Sequence, residues 1–224
     1  MRILAIDTSG PAASAAVYEN RLLAQAYVEN RQTHSEKIML LVDDVLHYSD
    51  TTIEQVEGIA VAAGPGSFTG LRIGIACTKA IAQARRIPCL GVNTLDALCL
   101  QAQGAPVRCA IMDARRGEVY CAAYRERACI VAPCAMKLTD FLRPIQALGQ
   151  RACFAGDGIR VHEQTVRDTL GGQAVLLDEA HRLQCAASVA AIAARTPLAQ
   201  WQSADTLEPL YLRIPQAERE AQKR

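Results

Sequence analysis

Asp7 and Asp113 each close a short apolar run, "RILAID" and "VRCAIMD". Two carboxylates at the ends of equivalent strands, facing one cleft, are an arrangement that holds a hydrated metal ion or a magnesium nucleotide. In "DTSG" the hydroxyls of Thr8 and Ser9 stand beside Asp7, whereas "DARRG" puts two arginines after Asp113. An aspartate at a strand end also caps turns, so both roles stay open at this point. The second candidate is "GPGSFTGLRIG", in which Gly64, Gly66, Ser67, Thr69 and Gly70 lead from an apolar run into a helical pattern. Glycine-rich loops in that place cradle phosphates with backbone N–H groups. A Walker loop requires Lys and then Ser or Thr after its last glycine, but Gly70 is followed by Leu71 and Arg72. The dinucleotide fingerprint requires two residues between its last glycines, and here Ser67, Phe68 and Thr69 intervene. The stretch therefore reads as a strand-to-helix turn, bent by Gly64-Pro65-Gly66 and capped by Ser67 or Thr69.

Other chemistries find less. The four histidines, His34, His47, His162 and His181, have no metal-ligand spacing, so no metal site is expected. Ser67 lies in no G-x-S-x-G elbow, which argues against a serine hydrolase. The nine cysteines are odd in number and lack any C-x-x-C pair. They read as free thiols packed as small hydrophobes in a reducing, cytoplasmic compartment.

The elements that must position these residues follow from pattern. The 224 residues are 50% apolar and 21% charged with a net charge of +1, a soluble globular composition. The near-neutral balance and 4% aromatic content argue against strong nucleic-acid binding by this chain alone. No apolar run approaches the roughly 20 residues of a bilayer span, so no membrane partner is expected. "RILAID", "ASAAVYE" and "LLAQAYVE" predict a three-stranded meander; a helix over 35–49 capped by Ser35, a buried strand "GIAVAA", a helix over 69–86, a strand "CLGV" and a short helix capped by Thr94 follow. After the turn at 103–106 the order begins again, with strands opening on "VRCAIMD" and a helix near 139–148, then "CFAGDG" and a helix over 160–170. This predicts a duplicated α/β unit with mixed sheets, an N-terminal lobe over 1–103 and a C-terminal lobe over 104–224 that ends in a charged tail.

Two helices carry more apolar surface than one core requires. In the first, Ile38, Leu41, Val42, Val45 and Tyr48 share a face, and Met39 and Leu46 widen it to about half the circumference. In the second, Arg72, Lys79 and Gln83 form a narrow polar stripe among small and apolar residues that include Ile75. Small residues let helices approach closely. These faces are expected to meet another protein.

The segments "ILAIDTS", "GPGSFTGLRIGIA", "MDARRGEVY", "AGDG" and "EPLYLR", spread in this order over nearly the whole chain, resemble the bacterial TsaB family, also called YeaZ. The resemblance implies a duplicated actin-like, ribonuclease-H-like ATPase fold of two lobes with a reduced second lobe. It also implies a non-catalytic subunit that pairs with TsaD and the small ATPase TsaE. Together these place a threonylcarbamoyl group on the anticodon-adjacent adenosine of tRNAs reading codons that begin with A. The chain then reaches tRNA only through the complex, forms a heterodimer with TsaD, and forms a homodimer when alone. Ile38, Met39, Val42, Leu46, Arg72, Ile75 and Lys79 are the contact residues expected on its two helices. By the same resemblance, Thr94 and Leu98 stand where TsaD has metal-binding histidines. No cofactor is expected of the isolated chain, and ATP or ADP is left open at the partner junction, with Asp7, Thr8, Ser9 and Asp113 as candidates. The competing reading is a stand-alone small-molecule kinase or ATPase that uses Asp7 and Asp113.

Overall fold

The apolar run Ile3–Asp7 forms strand β1, buried along its whole length. Antiparallel β2 (Ala13–Glu19) flanks it on one side and parallel β4 (Gly58–Gly64) on the other. A strand covered on both faces carries apolar residues at successive positions, as "ILAID" and "GIAVAAG" do. The computed structural model describes residues 1–30 and 33–213; the charged tail expected at 217–224 lies outside them. Adding β3 (Arg21–Val28) and β5 (Cys89–Asn93) gives a first sheet of order β3-β2-β1-β4-β5.

The second sheet repeats this topology. Its strands are β6 (Val107–Asp113), β7 (Glu118–Arg125), β8 (Ala128–Lys137), β9 (Ala152–Ala155) and β10 (Ala174–Leu176), in the order β10-β9-β6-β7-β8. Again three strands form an antiparallel meander, and β9 and β10 continue parallel to the first strand of that meander. Helices fall at matching places. α1 (His34–Tyr48) and α4 (Leu138–Ala147) follow the meanders. α2 (Phe68–Arg85) and α5 (Gly158–Leu170) follow the fourth strands. α3 (Thr94–Gln101) and α6 (Ala186–Ala193) follow the fifth. The fold is thus the duplicated actin-like α/β architecture. The second lobe is reduced by shortening, with 13 residues in α5 against 18 in α2, and keeps every element.

Strand alternation assigns each layer. Leu4 and Ile6 of β1 point to the face covered by α1 and α2, where Ile38, Leu41, Val42, Val45 and Ile75 complete the core. Burying each such aliphatic side chain stabilises by about 1.5–3 kcal/mol. Ile3 and Ala5 point to the other face, against Val189, Ala190 and Ala193 of α6. In the second lobe, Cys109 and Ile111 face α4 and α5, and Ala110 and Met112 face Leu95, Leu98 and Cys99 of α3. The last helix of each half therefore packs on the sheet of the other, across the division expected at 103/104.

Several local expectations shift. α1 begins at His34 with Thr33 as its N-cap residue, in place of Ser35; a ring nitrogen of His34 is 2.8 Å from the Gly10 carbonyl and anchors that end. Ser67, and not Thr69, caps α2, accepting the Gly70 amide at 3.3 Å. Asn93 caps α3 through the Leu95 amide at 2.9 Å, which puts Thr94 inside the helix. Tyr48 is exposed beyond the apolar face and meets the His47 ring edge-on. No helix of the described residues is long and apolar enough to cross a membrane.

Candidate functional site: an interlobe cleft and an outer helical face

A cleft of about 840 Å³ opens between the lobes. One wall is the β1–β2 turn at Ser9 and Gly10 with the start of α2 from Gly66 to Thr69; the other is the β6–β7 turn from Asp113 to Arg116 with Asp157 and Arg213.

The glycine loop shapes the first wall by close approach. The Ser67 amide donates to the Ser9 carbonyl at 2.8 Å. A methyl group on Gly66 would lie 2.3 Å from that same carbonyl oxygen, and one on Gly70 would lie 2.0 Å from the Thr8 carbonyl oxygen. Gly64 has φ +128° and Gly156 has φ +114°, backbone that favours glycine. They occupy matching positions, at the end of β4 and just after β9. A methyl group on Gly156 would lie 2.0 Å from the Ile111 carbonyl oxygen. The two glycine turns are thus the same device in both lobes, seating a helix start on the end of the first strand. This agrees with the turn reading of "GPGSFTGLRIG".

Asp7, Thr8 and Ser9 are buried, and Asp7 Oδ1 and the two hydroxyls are engaged within the first lobe. Asp7 Oδ1 accepts the Ser9 amide at 2.9 Å and the Ser9 hydroxyl at 2.6 Å. The Thr8 hydroxyl donates to the Gly70 carbonyl at 2.7 Å. Burial pushes the Asp7 carboxyl up to about 6, against the opposing pull of the two Ser9 hydrogen bonds and nearby His34. Asp7 Oδ2 is buried with no hydrogen-bond partner among the described residues. Asp113 is half-buried in the cleft wall and accepts the Arg115 amide at 2.8 Å. Asp7 therefore lies beneath the surface, whereas Asp113 lines the cleft. Arg115 and Arg116 are exposed at the hairpin tip, both with left-handed backbone.

Asp157 also lines the cleft, and sequence reasoning did not single it out. Burial raises its carboxyl to about 6, with the Gln184 hydrogen bond opposing and the Asp113 charge adding. Gln184 Nε2 donates to Asp157 Oδ1 at 3.1 Å. The signal that would have found Asp157 is the internal repeat, since "AGDG" of the second half aligns with the glycine turn of the first. Among the described residues, no group of three or more His, Cys, Asp or Glu side chains gathers as a metal-ligand set.

The outer helical face divides the expected contact residues. Ile38, Val42 and Ile75 are buried in the first lobe's own core; the assignment of these three to a partner interface is corrected, because their apolar arc is used by the sheet beneath. Leu46 is half-buried against the same core. Met39 is 43% exposed, and its neighbour Leu40, absent from the expected set, is 54% exposed. Arg72 is exposed and Lys79 half-buried on α2, with Ala76 and Ala80 exposed between and beyond them.

Comparison with known proteins places this geometry. The family model described as "TsaD: tRNA N6-adenosine threonylcarbamoyltransferase" matches residues 22–221. The Bacillus subtilis (strain 168) tRNA threonylcarbamoyladenosine biosynthesis protein TsaB is 32% identical over 76% of this chain and 77% of its own length. The Escherichia coli (strain K12) protein of the same name is 38% identical over 56% of this chain; the match spans 55%, about half, of that relative's length. The crystal structure of a Pseudomonas aeruginosa protein with similarity to peptidase YEAZ superposes with a TM-score of 0.80 at 28% identity, covering 95% of this chain and 99% of that one. YeaZ from the same organism gives a TM-score of 0.76 at 28% identity over 94% of this chain and 100% of its own.

Proposed function

This chain belongs to the TsaB family, within the wider tRNA N6-adenosine threonylcarbamoyltransferase family, and we propose that it acts in tRNA threonylcarbamoyladenosine biosynthesis as a non-catalytic scaffold or activator. In this reading it docks on TsaD through the exposed face of α1 and α2 and works with the ATPase TsaE. The modified adenosine lies beside the anticodon in tRNAs reading codons that begin with A. Without TsaD the same face closes a two-fold homodimer. Any ATP or ADP sits at the junction with the partners, and tRNA is reached through the complex.

The observation that carries this reading is the adjacent pair Met39 and Leu40, 43% and 54% exposed on the outer helical layer. Two large apolar side chains exposed on α1, and the small residues Ala76 and Ala80 with the cation Arg72 exposed on α2, suit a protein interface with apolar and polar parts. The stand-alone kinase reading has less support. Asp7 is 1% exposed and already accepts two bonds from Ser9, which leaves it poorly placed to hold a hydrated metal. Thr94 and Leu98, which match the metal-binding positions of TsaD, are buried and offer no imidazole.

Reconstituting tRNA threonylcarbamoylation from purified TsaD and TsaE, with and without this chain, tests the proposal. Modification that requires this chain, together with none from the chain alone, is the expected result. Full modification in its absence, or turnover by the chain alone, would overturn it.

A further inference from the structure

The segment Leu207–Arg213 leaves the first lobe and arrives at the second along one edge of the cleft. Leu207 is buried in the core beneath α1 and α2. The Leu210 amide donates to the Ala63 carbonyl at 2.7 Å, and the Leu210 carbonyl is packed against Gly64. Tyr211 sets its ring against Phe68, with centroids 5.0 Å apart, and its hydroxyl accepts a hydrogen bond from Arg72 Nε at 3.2 Å. Two residues later the chain is held by the other lobe. Arg213 pairs with Glu118, donates to the Ala114 carbonyl at 2.9 Å and lies over the Tyr120 ring at 5.7 Å.

Arg213 also lines the cleft, with its side chain 16% exposed. Leu210 and Arg213 are thus fixed to opposite lobes with two residues between them. Three residue steps reach at most about 10–11 Å, so opening the cleft beyond that reach requires release of one anchor. The Tyr211 anchor leads outward as well, because its hydrogen-bond donor Arg72 stands on the exposed face of α2.

We propose that Leu210–Arg213 is a strap that sets the closure of the interlobe cleft, and that Arg72 ties this closure to what occupies the outer face of α2. The second half rests on the docking of TsaD at that face. A protein covering Arg72 removes the water that competes for the Arg72–Tyr211 hydrogen bond, and a hydrogen bond shielded from water is stronger. Partner docking then holds Tyr211 more firmly on the first lobe, leaves only Leu212 between the two anchors, and so restricts opening of the cleft.

Hydrogen exchange of the intact chain tests the first half. Tyr211→Ala and Arg213→Gln are each expected to speed exchange in the 113–118 turn and the 66–69 turn about tenfold, the scale of one charge-assisted hydrogen bond. Amides of β1 and β4 are expected to keep wild-type rates, which separates cleft opening from general unfolding. Unchanged rates in both turns would overturn the strap. The milder Tyr211→Phe keeps the ring on Phe68 and removes only the hydroxyl, so it serves as the variant that folds. Adding TsaD tests the second half: exchange in the 113–118 turn is expected to slow about threefold or more in the wild type and not in Tyr211→Phe. Binding of TsaD without that slowing would overturn the coupling and leave the docking reading intact. Failure of TsaD to bind would remove the docking reading and the coupling together, with closure still judged by the first comparison.

Discussion

The Thr8 hydroxyl donates to the Gly70 carbonyl at 2.7 Å across 62 positions of sequence, while the Thr8 carbonyl oxygen lies 2.0 Å from where a methyl group on Gly70 would stand. The residue after β1 and the first turn of α2 therefore meet backbone to backbone. Gly70→Ala is expected to destabilise the protein by about 3 kcal/mol, the combined scale of an overpacked contact and a displaced hydrogen bond. Gly172→Ala, where an added methyl meets nothing within 4 Å, is expected to change stability by less than about 1 kcal/mol. Urea denaturation of the pair is the measurement, and equal effects would contradict the close-approach account.

Asp7 gives a pH dependence with a definite sign. Its folded-state carboxyl is raised from 3.8 to about 6 by burial, so the folded state binds the proton more tightly than the unfolded chain. The stability this contributes is fully present below about pH 4 and is lost as pH rises through about 6. Asp157 is raised to about 6 for the same first reason and adds in the same direction. Asp7→Asn keeps an oxygen for Ser9 and cannot ionise. It is expected to gain roughly 1–3 kcal/mol over wild type at pH 7.5, at 1.36 kcal/mol per pKa unit, and to flatten the profile between pH 4 and 7. Denaturation series at several pH values decide it, and a variant less stable than wild type at pH 7.5 would count against a costly buried carboxylate.

Two substitutions on neighbouring helices separate interface from core. Met39→Asp places a charge on an exposed position and is expected to abolish co-purification with TsaD while leaving the circular dichroism spectrum and melting temperature near wild type. Ile75→Asp buries an unpaired carboxyl against Ile6 and Val61, where the native side chain is 5% exposed, and is expected to unfold the protein. A Met39→Asp protein that still binds TsaD would place the interface elsewhere.

Thiol reactivity follows accessibility. Cys129 is exposed; Cys77, Cys134 and Cys185 are half-buried; Cys89, Cys99, Cys109, Cys121 and Cys153 are buried. Burial also holds the thiols of Cys99, Cys109, Cys121 and Cys153 above their ordinary range, which lowers the thiolate fraction. A chromogenic disulfide reagent at pH 8 is expected to modify Cys129 first, the half-buried three more slowly, and the buried five only on unfolding. Mass spectrometry at timed intervals reads the order.

Legibility in the sequence followed burial. β1 and β4 are covered on both faces, so they appear as unbroken apolar runs, and the two halves could be matched because each opens on such a run ending in aspartate. The glycine loop was readable as a turn because its spacing excluded both phosphate motifs, although the carbonyls of Thr8 and Ser9 that demand the glycines lie far away in sequence. β10 has three residues, and "AASVAAIA" of α6 is packed between elements with little polar contrast around the helix, so neither gave a periodic signal. The expected interface took in Ile38, Val42 and Ile75 because apolar periodicity marks a covered face without saying whether the cover is the chain's own sheet or a partner. Leu40 was passed over for the converse reason, since it falls outside the periodic arc. Asp157 became visible only once Gly156 and Gly64 were seen to hold the same place in the two repeats.

The crossing of α3 and α6 bears on how the molecule divides. Cutting between residues 103 and 104 would strip Leu95, Leu98 and Cys99 from the second sheet, and Val189, Ala190 and Ala193 from the first. Each fragment would keep the helix that belongs on the other's sheet and expose the apolar face that helix should cover. The two repeats are therefore poor candidates for autonomous folding and good ones for fragment complementation: expressed apart they are expected to aggregate, expressed together to reassemble, and the intact chain is expected to melt in one cooperative step.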